Sequence, residues 1–152
     1  MKKFCRVMTF IFCFYLVGWS INAVVVSRKS EVFQQKIMGK VTLAKGVGGG
    51  FDLRDFNSDS WDELAIWRPY ANICKLKIKG SFFNPIFCFE LQDKGICYLL
   101  FLKNNRMVAK VEISRRDLDF AGNGSPTRMS RSGAIFEIVG KGDFPVAKVI
   151  SK

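Results

Sequence analysis

Residues 96–113, ICYLLFLKNNRMVAKVEI, decide the fold class. Two apolar runs flank Asn104-Asn105, and asparagine tolerates the positive φ that a tight type I′ turn demands at both central positions. A turn centred there predicts a β-hairpin of definite register. Leu102 then faces Met107, Leu100 faces Ala109, Tyr98 faces Val111 and Ile96 faces Ile113, all on one face. The opposite face carries Cys97, Leu99 and Phe101 against Val108, Lys110 and Glu112. The first strand is thus apolar on both sides and belongs inside a sheet, while the second keeps a wet side.

Working outward, residues 64–70 (LAIWRPY) read as a strand halted by Pro69. Residues 71–80 (ANICKLKIKG) fit a short helix closed by Gly80, although Cys74, Leu76 and Ile78 also alternate with lysines as a strand would. Residues 84–91 (NPIFCFEL) read as another strand, joined to the hairpin through QDKG. Residues 133–139 and 144–150 make a final pair. The expected domain spans residues 51–152 and is α+β: one mainly antiparallel sheet of about six strands with one or two short helices.

The N-terminus has the layout of an export signal. Lys2, Lys3 and Arg6 form a basic flank, an apolar run follows, and the small residues Gly18, Ser20 and Ala23 offer cleavage after Ser20 or Ala23. The short basic MKK start points to a bacterium. Residues 1–23 are therefore read as a signal peptide or, uncleaved, as a membrane anchor. The 20 uncharged residues from Val7 to Val26 suffice to cross about 30 Å of hydrocarbon as a helix. Either reading puts the rest outside the cytoplasm, periplasmic or anchored at the outer face of the cytoplasmic membrane. Residues 24–50 read as a tether: a short helix over 30–38 capped by Ser30, then the glycine run GVGGG. That run is no phosphate loop, because Phe51 and Asp52 stand where such a loop needs lysine and serine or threonine.

Without its first 23 residues the chain keeps 21 basic against 13 acidic residues, a net +8. Outside a bacterium that balance favours an acidic protein partner or an anionic envelope component, and not nucleic acid. Cys74, Cys88 and Cys97 remain beyond the signal, so at most one bridge can form within the chain, leaving one thiol buried or paired elsewhere. Residues 114–132 (SRRDLDFAGNGSPTRMSRS) form a long connection with Arg115, Arg116, Arg128 and Arg131. Arginine's forked donors suit carboxylate or phosphate, so these four are the candidate binding residues.

Enzymatic chemistry has little to work with. The chain has no histidine, which removes the commonest base and every Ser-His or Cys-His nucleophile. It also lacks GxSxG, SxxK and CxxC. A hydrolase would have to run on carboxylates. Asp55, Asn57 and Asp59 alternate as at the start of a calcium loop, but Ser60 and Ile66 stand where the loop needs glycine and a bidentate glutamate. No metal and no cofactor is expected.

The segments FDLRDF, WDELAIWRPY and DLDF, spread over residues 51–120, resemble a pattern in small exported bacterial proteins of unassigned function. Some of those look like neighbours of toxins, which implies immunity proteins. The expectation is therefore a non-enzymatic envelope protein that binds another protein, as an inhibitor or immunity protein. The alternatives are a binder of anionic lipid or wall polymer, and a carboxylate-based hydrolase.

Overall fold

The computed structural model describes residues 2–57, 60–79, 93–120, 127–139 and 145–150, with side chains from residue 25 onward. A single helix, α1 (Lys2–Val47), leads into seven strands among the described residues: β1 (Gly50–Asp52), β2 (Glu63–Trp67), β3 (Ile96–Lys103), β4 (Arg106–Ser114), β5 (Thr127–Ser130), β6 (Ile135–Val139) and β7 (Val146–Val149). They form two sheets, ordered β4-β3-β2-β5 and β1-β6-β7, and every named strand pair is antiparallel. The α+β class and antiparallel pairing are as expected, but there are two sheets in place of one. The strand expected over residues 84–91 lies outside the described residues.

The tether reading is corrected. Residues 25–47 continue α1, and Phe33, Ile37, Val41 and Ala44 are buried in the main core. Spacings of four, four and three residues keep these side chains on one helix face. Fully burying each large apolar one contributes about 1.5–3 kcal/mol, which a flexible linker would forgo. The core therefore begins well before residue 51. The glycine run ends the helix: Gly48 takes a positive φ of 67°, and Gly49 donates its N–H to the Ala44 carbonyl at 3.1 Å. That geometry is a Schellman stop. Ser30, expected as a cap, instead donates its hydroxyl to the Val26 carbonyl and accepts the Lys110 N–H.

Asn104 and Asn105 do occupy the turn, with φ of 51° and 63°. The register beyond it is corrected. Leu102 pairs with Met107, but Phe101 pairs with Ala109, and from there Leu100 faces Lys110, Leu99 faces Val111 and Tyr98 faces Glu112. Val108 is the extra residue of a β-bulge. Both faces of this sheet are covered: by α1 and the second sheet on one side, and by a short 3-10 turn, Ile73–Leu76, on the other. The bulge lets Met107 join Leu100 and Leu102 in the second layer while Ala109, Val111 and Ile113 turn to the helix. Lys110 tolerates its place because β4 is an edge strand, and its ammonium lies 4.6 Å from the Tyr98 ring centre.

The edge backbone of β4 is met by α1 side chains. Besides the Ser30 contact, the Gln34 amide accepts the Glu112 N–H at 2.8 Å and donates to the Glu112 carbonyl at 2.5 Å. Around Phe101 the aromatic packing is edge-on, with Phe33 at 4.9 Å and Trp61 at 5.1 Å. The Trp61 indole N–H donates to the Phe56 carbonyl. Gly50 is required by contact: a Cβ there would collide with the Phe136 carbonyl across the β1–β6 pair. The phenylalanines and leucines of FDLRDF and DLDF (Phe51, Leu53, Phe56, Leu118 and Phe120) are all core residues.

Candidate functional site

The chemistry-bearing side chains collect at the two ends of the four-stranded sheet. One end is the hairpin turn, where β2 starts and β5 stops. The other is where β3 starts and β4 stops.

Four of the candidate arginines do not share one surface. Arg115 and Arg116 follow β4 at the far end, Arg128 sits within β5, and Arg131 follows β5 at the hairpin end. Pairing places Ser130 level with Leu102, through Glu63, and Arg115 beside Gly95. Seven residues along the chain separate these levels, roughly 23 Å at 3.3 Å per residue. The single connection read over residues 114–132 is divided by β5, whose four residues are too few for alternation to announce a strand.

Arg128 and Arg115 are committed within the fold. Arg128 donates to the Leu76 carbonyl at 3.0 Å and is ion-paired with Glu63. Arg115 donates to the Lys94 carbonyl at 3.0 Å and pairs with Asp119 at 2.6 Å, a contact that raises its already high pKa. Arg68 is buried beside them and donates to the Thr127 hydroxyl. Burial works against its charge, and the nearby Asp119 favours it. Cys97 is a buried free thiol whose pKa is pushed up, chiefly by burial. Cys74 is disulfide-bonded. Sequence reasoning missed Arg68 and Asp119; a lone arginine directly after an apolar strand was the available signal.

At the hairpin end two clefts flank Asp55. One, of about 630 Å³, lies beside α1 and is lined by Arg28, Lys29, Val32, Phe33, Asn57 and Ser60. The other, of about 520 Å³, is lined by Arg54, Asp62, Lys103, Ser130, Arg131 and Ser132, with Trp61 at its base. Asp55 and Asp62 thus border one cleft, the arrangement a carboxylate hydrolase would want. Asp62, however, is a structural cap. Its Oδ2 accepts the Asn104 N–H at 2.9 Å, and its Oδ1 is shut off from solvent. Arg54 is held by Asp52, whose carboxyl the guanidinium keeps below the ordinary range. Asn57 takes φ of 43° in a turn closed by the Ser60 N–H and hydroxyl, and Asp59 lies outside the described residues.

No protein-family model, curated protein or solved structure matches this chain. Its chemistry is therefore read from its own atoms. The hairpin end carries Arg28, Lys29, Lys79, Lys103, Arg106 and Arg131 against Glu31, Asp55 and Asp62, while Arg54 is paired with Asp52 and Glu63 with Arg128. The far end carries Arg68, Lys94, Arg115 and Arg116 against Asp93, Asp117 and Asp119 among the described residues. Among the described residues no helix is long and apolar enough to cross a membrane. The uncharged run from Val7 to Val26 lies almost wholly before the described side chains.

Proposed function

We propose that this chain is a non-enzymatic binding domain of a bacterial envelope, held at the outer face of the cytoplasmic membrane by its own first helix. One observation carries the reading: α1 runs without a break from Lys2 to Val47, and its second half is part of the core. A cut after Ser20 or Ala23 would fall inside that helix, ahead of the buried stripe that begins at Phe33. An uncleaved anchor fits this continuity better than a removed signal. The disulfide at Cys74 supports an oxidising compartment.

The partner-facing surface in this reading is the far end, turned away from the bilayer. It offers the exposed Arg116, with Lys94 lying 5.8 Å from the Tyr70 ring centre, and Tyr70 is 57% exposed. An aromatic beside basic groups suits an acidic protein, as an inhibitor or immunity protein would meet. The test is the intact mass of the protein recovered from fractionated cells. A chain retaining its first helix and resisting alkaline extraction from membranes is the expected result. A soluble protein beginning at Ile21 or Val24 would overturn the anchor.

A further inference from the structure

The direction of α1 relative to the sheet has a consequence for the hairpin end. Ser30 meets Lys110 and Gln34 meets Glu112, so the helix and β4 run the same way. Arg106 lies three ladder steps before Lys110, since Val108 is bulged out, roughly 10 Å of strand. The same rise takes about seven residues of helix, so Arg106 lies level with helix residues near 23. That is within the last quarter of the uncharged run from Val7 to Val26. The helix therefore leaves the domain at the hairpin end, and the turn reaches back alongside it. Lys79 is held there too, donating its N–H to the Asn105 carbonyl at 2.9 Å.

Accordingly, we propose that the hairpin end is a lipid-facing surface, with Arg28, Lys29, Lys79, Lys103 and Arg106 seated on the phosphates of anionic phospholipids. The inference rests on the anchor reading and specifies what the anchored domain touches. An apolar segment of about 30 Å fills the hydrocarbon core and ends at Val26, which sets the headgroup layer within about one helical turn of Arg106, in reach of long basic side chains. Basic side chains within a Debye length of an anionic leaflet gain from it, and the gain is screened by salt. The acidic groups at this end are partly withdrawn, since Asp62 caps Asn104. The far end lies roughly 23 Å along the sheet from this level, beyond a Debye length of the leaflet.

The test uses the full chain in nanodiscs of neutral phosphatidylcholine alone or mixed with anionic phosphatidylglycerol. A neutral amine-acylating reagent is applied, and modification at each lysine is read by mass spectrometry. Anionic lipid should slow Lys29, Lys79 and Lys103 by roughly threefold or more at low salt, with recovery at high salt, and leave Lys148 unchanged. Lys79→Gln with Arg106→Gln should remove much of the protection at Lys103. A chain that co-elutes with nanodiscs but shows equal rates in both lipids overturns the headgroup contact and spares the anchor. A chain that co-elutes with neither lipid overturns both.

Discussion

The two ends of the four-stranded sheet both carry basic residues and use them differently. At the far end Arg115 is bound to Asp119 and a backbone carbonyl, and Arg68 is buried beside the same carboxylate. These charges hold the fold together. At the hairpin end Lys79 and Arg106 are exposed, Lys103 is half-buried at a cleft rim, and the nearest carboxylate, Asp62, is given to the turn backbone. The difference teaches that counting arginines along a chain finds basic residues without distinguishing scaffold from surface. What distinguishes them is the carboxylate within reach.

The largest effect should come from the far end. Asp119→Ala leaves Arg115 without this carboxylate partner and removes a nearby counter-charge of Arg68, in partly buried surroundings. A loss of about 2–4 kcal/mol is expected in urea unfolding. A loss under about 0.5 kcal/mol would mean that this end is no more structural than the other. Asp62→Ala should come next, at about 1–2 kcal/mol, because the Asn104 N–H loses its acceptor. Arg128→Ala should remove about 1 kcal/mol, the partly exposed pair with Glu63 plus a carbonyl contact. Lys103→Gln and Arg106→Gln should each stay within about 0.5 kcal/mol, as for exposed charges away from special features. Any larger change there would erase the contrast between the ends.

The far end also predicts a pH dependence. Burial raises the Cys97 pKa, so the unfolded chain releases that proton at lower pH than the folded one. The stability contribution is complete below the ordinary thiol range, near pH 8.5, and declines as pH rises through it. Comparing the parent with Cys97→Ala across alkaline pH isolates this slope, which should be present in the parent alone. Native Cys97 should also resist alkylation until the protein unfolds.

The hairpin turn was legible because Asn104-Asn105 states its own backbone requirement. Its register was not, because the bulge at Val108 answers to layers supplied by α1 and by Ile73–Leu76, both distant in sequence. The buried stripe of Phe33, Ile37, Val41 and Ala44 was hidden by Gly39 and scattered lysines, and GVGGG was read as flexibility where it is a helix stop. At the site, composition revealed an excess of basic charge but not where it gathers. The clustering of Lys79, Lys103 and Arg106 with Arg28 and Lys29 depends on the helix running parallel to β4, which no local pattern records.

Gln34 has a role beyond holding the helix in place. Its amide donates to and accepts from the same residue, Glu112, as a peptide unit of a neighbouring strand would. With Ser30 on Lys110, it occupies the open hydrogen-bonding edge of β4. An open edge invites strand addition by another chain, the route to aggregates and swapped dimers. Two polar side chains on a helix thus act as a chaperone in place, keeping the sheet closed to its own copies at the side where copies crowded on a surface would meet.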